Sequence, residues 1–334
     1  MKKHRMISLQ TIEESISHAI VKARADANMV LQSKGYEPLT FGSTSHIGFW
    51  RVLVRHYNIL SLRWKIKKTD TVFIQFPWIH NNKREFYDNL FRSNARVECV
   101  IHDLDSFRYA DQKQHRDELV QLNRCHSIIA HTQAMKDYLV EKGINEKKIK
   151  LLYFFPYLTD DPIHQLVATD KPVVVFAGNL TKSPFVKELN KIASAQLHFN
   201  LYGKGAEGFK NSEFVKYKGI FEPDHPAVIE GNWGLVWDGA DLDTCSGLYG
   251  NYLRYNSSHK ISLYLSLGIP VVLWGKSSLR EFVEKHHLGI TVNSLYELEQ
   301  KLLNLSVEQI ELIQKSVCEF APQIRKGDIF GKLI

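Results

Sequence analysis

The segment GLVWDGADLDTCSGLYGNYLRYNSSHK (residues 234–260) runs directly into ISLYLSLGIPVVLW (residues 261–274), and the two together decide the fold. A short apolar run, GLVW, leads into a loop rich in Gly, Asp and Ser. A helical pattern follows, and a second apolar run, PVVLW, ends the segment. A strand, a polar loop, a helix and a strand in this order form one unit of a parallel α/β sheet.

Polar residues mark the start of that helix. Asn256, Ser257 and Ser258 are candidate N-caps, and His259 and Lys260 fall in or near the first turn. A cation in the first turn opposes the helix dipole, so an anion bound beside Lys260 explains this lysine better than helix stability does. An ordinary surface lysine is the alternative. The pattern therefore predicts a diphosphate site at residues 256–260.

The first half of the chain repeats the strand and helix pattern. Apolar runs typical of strands occur at residues 6–10, 71–76, 97–101 and 127–130. Residues 15–33 carry apolar side chains at helical spacing and stop at Gly35. Thr132 and Gly143 are predicted to begin and end a further helix. Strands separated by helices indicate a parallel sheet with helices on both faces.

The polar stretch at residues 159–171 separates this half from a new series of strands. This second series of predicted strands starts at residues 172–177 and continues through LHFNLYG, KYKGIF, GLVWDG and IPVVLW. We therefore predict an α/β protein of two doubly wound Rossmann-like domains, at residues 1–160 and 171–310, that face each other across a cleft. Residues 311–334 are predicted to form a helical segment that packs back on the first domain or lies at a subunit interface.

A second loop offers further ligand contacts. In FAGNLTKSPF, residues Gly178, Asn179 and Lys182 leave a strand toward a predicted helix, where backbone N–H groups and a lysine can hold phosphate. A plain turn with a solvated lysine is the alternative. Tyr217 is predicted to flank a nucleobase, and Tyr255 is one of several aromatic residues near the predicted cleft on which a sugar can stack.

Two Asp-x-Asp triplets occur, one at Asp103 and Asp105 and the other at Asp241 and Asp243. Alternating carboxylates can bind Mg²⁺ or Mn²⁺, but a helix N-terminus and a lysine can neutralise a diphosphate instead, so we predict no metal site. Asp103, Asp105 and the neighbouring His102 are candidates for a general base that deprotonates an acceptor hydroxyl. Helix capping, or an ion pair with Arg108, is the alternative role for these carboxylates.

Composition limits the class of protein. The chain has 334 residues, 44% of them hydrophobic, and a formal net charge of +7, which favours an anionic ligand or surface without selecting one. The four cysteines show no spacing typical of a zinc site or a disulfide framework. The N-terminus lacks the apolar core of a signal peptide, and no run of about 18 apolar residues occurs. We therefore expect a cytoplasmic protein.

Several of these motifs, taken with their spacing, resemble a family of bacterial glycosyltransferases. They are VIHDLDSFR, IIAHTQAMKDYL, FAGNLTKSPFV, GLVWDG and YGNYLRYNSSHKISLYLSLGIPVV. The family includes the glucosyltransferases that add the second sugar to O-linked GlcNAc on serine-rich-repeat adhesins and the β-1,6-galactofuranosyltransferases of O-antigen synthesis. The resemblance extends over residues 22–289, and its most specific part is YNSSHKISLYLSLGIPVV.

The resemblance implies a GT-B fold and transfer of a sugar from a UDP donor with no metal required. The matching motifs imply that UDP contacts Lys182, Asn256, Ser257, His259 and Lys260, with Tyr217 at the base. The family often has Asn-Pro where this chain has Ser257-Ser258. A homo-oligomer, either a dimer or a tetramer, is implied as well.

We therefore expect an inverting transferase that needs no cofactor. It is expected to move a hexose, most readily glucose, from a UDP-sugar to a GlcNAc-modified serine-rich adhesin. One alternative is a β-1,6-galactofuranosyltransferase that acts on a lipid-linked glycan and associates weakly with a membrane through its basic surface. Another is a non-catalytic partner subunit that binds glycans, although retention of Asn256, His259 and Lys260 argues against it. Nucleic acid is not an expected partner, because the positive charge comes without a recognised motif.

Overall fold

The computed structural model describes residues 4–11, 19–41, 48–78, 83–108, 112–164 and 171–334. The chain forms two compact units. The first unit comprises Met1–Leu152 together with Phe330–Ile334, and the second comprises Tyr153–Ile329.

The first unit is built on a six-stranded parallel sheet with strand order β2-β1-β3-β4-β5-β6. Its strands in chain order are β1 (Met6–Thr11), β2 (Glu37–Phe41), β3 (Thr71–Phe76), β4 (Arg96–Ile101), β5 (Ser127–Ala130) and β6 (Ile149–Leu151). Its helices are α1 (Ala19–Ser33), α2 (Gly48–Lys65), α3 (Lys83–Arg92), α4 (Asp105–Arg108), α5 (Gln112–Arg124) and α6 (Gln133–Glu141). Every residue of β3 and β5 is buried, as expected of central strands covered on both faces.

The second unit repeats this arrangement with strand order β12-β11-β10-β7-β8-β9, again all parallel. Its strands are β7 (Val173–Ala177), β8 (His198–Tyr202), β9 (Val215–Gly219), β10 (Trp233–Val236), β11 (Val271–Trp274) and β12 (Gly289–Val292). Its helices are α7 (Gly247–Tyr252), α8 (His259–Ser266), α9 (Arg280–Lys285), α10 (Leu298–Leu303) and α11 (Val307–Arg325), followed by α12 (Asp328–Gly331), which ends in the first unit.

The predicted α/β class is confirmed, and many of the predicted elements are present. The runs at residues 71–76 and 127–130 are β3 and β5, and the segment at residues 234–274 contains β10, α8 and β11. The Thr132 hydroxyl accepts the Met135 N–H as the N-cap of α6, and Gly143 follows that helix with a φ of 91°. The edge strand β2 was not predicted, because EPLTF is mostly exposed and contains a proline, which strand patterns avoid.

The helix predicted after FAGNL is wrong in type. A single 3₁₀ turn spans Leu180–Lys182, and a 3₁₀ helix spans Pro184–Lys191. The Asn179 carboxamide accepts the Lys182 N–H at 3.2 Å and so closes the first turn. Because Pro184 has no N–H and starts a new turn, the two segments do not merge into one α-helix.

The boundary between the units lies earlier than the predicted stretch at residues 159–171. Phe154 and Tyr157 belong to the hydrophobic core of the second unit, and the partly buried Tyr153 packs against it. The C-terminal segment is divided as well. α11 packs on α8, whereas the Phe330 ring lies 5.9 Å from the Phe73 ring of the first unit. Among the described residues, no helix is both long and apolar enough to cross a membrane.

Candidate functional site

Each sheet has one point where the strand order reverses direction. In the first sheet it lies between β1 and β3, and in the second between β7 and β10. Neighbouring strands at such a switch point send their connections to opposite faces, which leaves a crevice at their carboxyl ends where ligands bind in open α/β sheets. Both switch points are therefore candidate sites.

Lys260 lies at the switch point of the second sheet. Its ammonium is 3.0 Å from a carboxylate oxygen of Asp238, just beyond the end of β10, and 5.1 Å from the centre of the Phe176 ring in β7. A Cβ added to Gly178 would lie 2.9 Å from the Lys260 Cε, so this glycine leaves room for the lysine. The Lys260 side chain is only 17% exposed. The structure thus places Lys260 and Gly178, two of the predicted donor contacts, side by side, together with Asp238.

Polar side chains lie at the start of α8. Ser258 occupies the N-cap position, but its hydroxyl makes no capping hydrogen bond with the residues that the structure describes. The Asn256 Oδ1 atom is buried, and within the described ranges it receives no hydrogen bond. A buried acceptor in this state would be satisfied by a hydroxyl or N–H group of a ligand. The buried Ser257 lies between these two residues.

His259 is held by aromatic neighbours. Its ring lies 5.1 Å from that of Tyr157 and 6.3 Å from that of Phe155. The Tyr157 hydroxyl donates to the Pro223 carbonyl at 2.8 Å, which fixes the ring against which His259 packs. His259 is thus a positioned side chain in the first turn of α8.

Tyr264 separates the two strands at this switch point. Its buried hydroxyl accepts the Ala177 N–H at 2.8 Å and donates to the Leu235 carbonyl at 3.3 Å. The pairing between β7 and β10 ends at Gly234 and Val175. The Tyr264 hydroxyl therefore bridges the two strands just beyond their last paired residues. A Cβ on Gly234 would lie 2.3 Å from the Tyr264 ring, which explains the glycine in that strand. Burial raises the pKa of Tyr264 well above its usual value, so the hydroxyl stays protonated.

The loops after β7 and β8 approach closely through glycines. A Cβ on Gly203 would lie 1.8 Å from the Gly178 carbonyl oxygen, and one on Gly205 would lie 2.1 Å from the Thr181 hydroxyl. Both glycines have positive φ angles, of 130° and 91°. The short GKG sequence therefore allows backbone contact between loops.

Lys182, a predicted donor contact in the loop after β7, is exposed, and its ammonium lies 5.7 Å from the Tyr249 ring centre.

The predicted aromatic contacts lie farther along the second unit. The Tyr217 hydroxyl donates to the Gly203 carbonyl at 3.0 Å, and the half-buried ring packs against the core, so the hydroxyl supports the glycine loop. Tyr255 is half-buried just before Asn256, and its N–H donates to the Tyr252 carbonyl at 2.9 Å.

The second Asp-x-Asp triplet serves the local structure. Asp241 accepts the Ser246 hydroxyl, and Asp243 accepts the Ser294 hydroxyl at 3.2 Å. The two carboxylates are therefore held by different serines. Within the described ranges, no group of three or more His, Cys, Asp or Glu side chains is arranged to hold a metal ion.

In the first unit, His102 follows the end of β4 and is buried. Its Nε2 atom lies 2.6 Å from the carboxamide oxygen of Gln75, whose amide group donates to the Arg24 carbonyl and to Asn28 Oδ1. Because that amide uses its N–H groups on other acceptors, Nε2 of His102 carries the proton in this contact. The Arg24 guanidinium returns hydrogen bonds to the carbonyls of Gln75 and Pro77.

The other two candidates for the general base, Asp103 and Asp105, lie at the start of the short helix α4. Asp103 is half-buried just before this helix, and the Asp105 carboxylate pairs with Lys83. The buried Glu118 carboxylate accepts the backbone N–H groups of Asp105 at 2.8 Å and of Ser106 at 3.0 Å. Burial raises the pKa of Glu118, although these N–H donors oppose the shift. A protein carboxylate thus occupies the start of α4.

A cavity of about 220 Å³ lies at the switch point of the first sheet. Residues at the ends of β1 and β3 and on α1 line it, among them Gln10, Thr11, Arg24, Ala25, Asn28 and Gln75. Arg24 and Gln75 make hydrogen bonds within the protein. The carboxamides of Gln10 and Asn28 and the hydroxyl of Thr11 make the rest of the lining polar, which suits a ligand with hydroxyl groups.

Sequence reasoning missed Gln75, Asp238, Glu118 and Tyr264. Gln75 carries a usable signal, because a polar residue within the apolar strand TVFIQF must find hydrogen-bond partners. Asp238 carries a weaker one, because it follows a strand directly and so lies at the edge where ligands bind. Nothing in the sequence near Glu118 or Tyr264 indicates their partners, which are distant in the chain.

The comparison with known proteins agrees with this geometry. Residues 6–153 match the family described as Glucosyltransferase 3-like, N-terminal domain, and residues 174–334 match Glucosyltransferase 3-like, C-terminal domain. The β-1,6-galactofuranosyltransferase WbbI of Escherichia coli K12 is 29% identical over 98% of this chain and 97% of its own length. Glucosyltransferase 3 of Streptococcus gordonii is 27% identical over 79% of this chain and 78% of its own.

Solved structures show the same fold. HepE from Anabaena, determined in complex with UDP, has a TM-score of 0.63 at 15% identity, with 98% of this chain and 99% of HepE covered. Sucrose-phosphate synthase from Thermosynechococcus elongatus has a TM-score of 0.63 at 12% identity, with 98% and 97% covered. The predicted GT-B fold is therefore confirmed. With both of its domains matched to one family, this chain belongs to the Glucosyltransferase 3-like glycosyltransferases.

Proposed function

We propose that this glycosyltransferase moves a hexosyl group from a UDP-sugar to a sugar hydroxyl with inversion, and that the donor diphosphate binds at the switch point of the second sheet. The observation that carries this proposal is the position of Lys260. Its ammonium is mostly buried beside Gly178 and Asp238, at the start of a helix whose N-cap hydroxyl makes no cap bond within the described residues. Cation and helix dipole together suit a diphosphate.

The structure of HepE in complex with UDP-glucose supports the choice of nucleotide for this fold. In this chain, Asn256 and Ser257 precede the helix, His259 and Lys260 begin it, and Gly178, Asn179 and Lys182 follow β7. The predicted contacts thus come from two loops that follow adjacent strands. Tyr217, Tyr255 and Ser258 complete the proposed donor set.

In the proposed reaction the acceptor oxygen forms a bond to the anomeric carbon as the bond from that carbon to the UDP oxygen breaks. The acceptor proton passes to Asp103, Asp105 or His102, and UDP leaves with the electron pair of the broken bond. Lys260 and the amides of α8 stabilise the negative charge that develops on the diphosphate. Asp238 holds the Lys260 ammonium in place before the donor binds, so little reorganisation is needed.

For the donor sugar and acceptor, we propose glucose and a GlcNAc-modified serine-rich protein. Two streptococcal proteins named Glucosyltransferase 3, from S. gordonii and S. parasanguinis, support glucose as the donor sugar at 27% and 25% identity. The acceptor follows from the sequence resemblance. A homo-oligomer and a cytoplasmic location are part of the same proposal.

A second candidate is transfer of galactofuranose. The match to WbbI extends over 98% of this chain, whereas the streptococcal matches cover 79% and 80%, and this difference favours the galactofuranosyl alternative. Its acceptor would be a glycan carried on a lipid.

A matrix of donors and acceptors tests these proposals. UDP-glucose and UDP-galactofuranose would each be incubated with a GlcNAc-modified serine-rich peptide and with a lipid-linked glycan, and UDP release and product mass measured. We expect one donor and acceptor pair to give product with inverted anomeric configuration, and we expect EDTA to leave the rate unchanged. Loss of activity in EDTA would refute the metal-free reaction, and a product with retained configuration would refute inversion.

A further inference from the structure

Helix α2 exposes an apolar stripe to solvent. Leu53, Tyr57, Leu60 and Trp64 are 43%, 61%, 38% and 59% exposed. Spacings of four, three and four residues place them on one face of the helix. With Val52, this helix carries five of the sixteen exposed large hydrophobic side chains among the described residues. Such a concentration on one element differs from the single exposed apolar residues found on most protein surfaces.

The stripe is separate from the face that stabilises the fold. Ile59 and Leu62, on the opposite side of α2, are fully buried in the first unit. The rings of Tyr57 and Trp64 lie 6.4 Å apart in an edge-to-face arrangement, so the two aromatic residues form one continuous exposed patch. The helix therefore has two apolar faces, of which the folded unit uses only one.

The charge at the Trp64 end of the stripe is positive. Residues 38–69 contain no Asp or Glu, and Arg63, Lys65, Lys67 and Lys68 are exposed around Trp64. The next carboxylate in the chain, Asp70, is buried and paired with Arg5. On the side of α2 that faces α3, Glu85 contacts His56 at 2.8 Å, and Glu85 and Asp88 line a hollow with Leu60. The end of α2 at Trp64 is therefore strongly cationic.

We propose that the exposed face of α2, defined by Leu53, Tyr57, Leu60 and Trp64 with the adjoining cations, docks on an anionic lipid bilayer. Trp and Tyr favour the membrane interface, and neighbouring Lys and Arg residues are attracted to anionic headgroups. An amphipathic helix with this composition lies in the plane of the interface with its apolar face toward the acyl chains. This docking is independent of the donor and acceptor that the enzyme uses.

Charge complementarity favours a bilayer over a second copy of this chain. A symmetric pairing through the same stripe would set Arg63, Lys65, Lys67 and Lys68 against a second α2, which contains no Asp or Glu to offset them. An anionic surface instead offsets every one of these charges, and the attraction weakens as salt screens it.

Vesicle flotation tests the proposal without any substrate. The full-length protein would be mixed with vesicles of equimolar phosphatidylglycerol and phosphatidylcholine, and separately with phosphatidylcholine alone, at low and high salt. The variants are Tyr57→Ser with Trp64→Ser, and Lys65→Glu with Lys67→Glu and Lys68→Glu. The matched control is Leu303→Ser with Leu312→Ser, two exposed leucines of the second unit that are 50% and 46% exposed.

We expect the wild type and the control to float with the anionic vesicles only, and high salt to release both. The apolar variant should bind at least about tenfold more weakly, because it loses two interfacial aromatic side chains. The charge variant should bind on the order of 100-fold more weakly, at about 1 kcal/mol for each cation near the surface. Brominated lipids should quench Trp64 fluorescence, measured as the difference between the wild type and Trp64→Phe.

The proposal is overturned if the wild type does not float with anionic vesicles, or if both variants bind as tightly as the wild type. It is also overturned if the Tyr57 and Trp64 changes dissociate an oligomer in analytical ultracentrifugation while vesicle binding stays the same. Circular dichroism of each variant would verify that it is folded. Since no sugar transfer is measured, a wrong donor or acceptor leaves these outcomes unaffected.

Discussion

Each sheet of this protein has one switch point, and the chemistry at the two points is different. In the first sheet, the point between β1 and β3 opens into a cavity of about 220 Å³ lined by Gln75, Asn28 and Arg24. In the second, the point between β7 and β10 holds the ammonium of Lys260 beside Asp238. Carboxamides suit the hydroxyl groups of a neutral sugar, whereas a cation at a helix start suits a diphosphate.

Two helix starts show the same contrast. The buried Glu118 carboxylate accepts the first N–H groups of α4, so the protein itself supplies the anion there. At α8, the hydroxyl of Ser258 makes no capping bond within the described residues. One helix start is therefore closed by a side chain, and the other can receive the negative charge of a substrate.

The largest effect is expected from Lys260→Ala. Removing a group that stabilises charge in the transition state typically lowers turnover by about 10²–10³-fold. Initial rates of UDP release at saturating substrate would measure this loss. Lys218→Ala is the matched control, because Lys218 is an exposed lysine that pairs with Glu230. Equal turnover in the wild type and Lys260→Ala would refute the proposal that the donor binds at the second sheet.

The next largest effect is expected from Ala25→Phe, which places a ring in the first-sheet cavity. Ala25 is exposed and lines this cavity, where we propose that the acceptor sugar binds, so the change should obstruct the acceptor while donor binding persists. We expect the acceptor KM to rise at least about tenfold, with hydrolysis of the UDP-sugar unchanged. Met29→Phe, at a 58% exposed position of the same helix, is the control. An unchanged acceptor KM would show that the acceptor binds elsewhere.

Tyr264→Phe is expected to cost about 1–3 kcal/mol in the free energy of unfolding, because it leaves the Ala177 N–H and the Leu235 carbonyl without their bridge. Urea denaturation would measure the loss. Tyr217→Phe should cost less, because its hydroxyl donates to a single carbonyl and its side chain is half-buried. If both variants were equally stable, the strand-separating role of Tyr264 would be refuted.

The smallest effect concerns pH and Glu118. Burial raises the pKa of Glu118, so the folded state binds its proton more tightly than the unfolded state does. Its contribution to stability is therefore present at low pH and is lost as pH rises through the folded pKa. Compared with Glu118→Gln, the wild type should gain stability as the pH falls from neutral toward 4.5, the usual value for Glu. Unfolding curves of both proteins at several pH values would reveal the difference, and parallel pH profiles would contradict it.

The sequence predicted the strands and helices around the two switch points better than the side-chain contacts between them. Runs such as TVFIQF and the helix start at His259 and Lys260 are local patterns, and both lie where predicted. The pairing of Lys260 with Asp238 and the bridge made by Tyr264 join residues far apart in the chain, which no local pattern shows. The helix predicted after β7 is a 3₁₀ helix at Pro184–Lys191, a difference in helix type that the sequence pattern did not show.

The most direct test of the central claim is the affinity for UDP, measured by titration calorimetry on the wild type, Lys260→Ala and Ala25→Phe. A charge-assisted contact to phosphate contributes about 1.5–3 kcal/mol, so Lys260→Ala should bind UDP about 10-fold to 100-fold more weakly. Ala25→Phe should bind UDP as the wild type does. Wild-type affinity in Lys260→Ala, together with a loss of affinity in Ala25→Phe, would place the nucleotide in the first sheet and contradict the account.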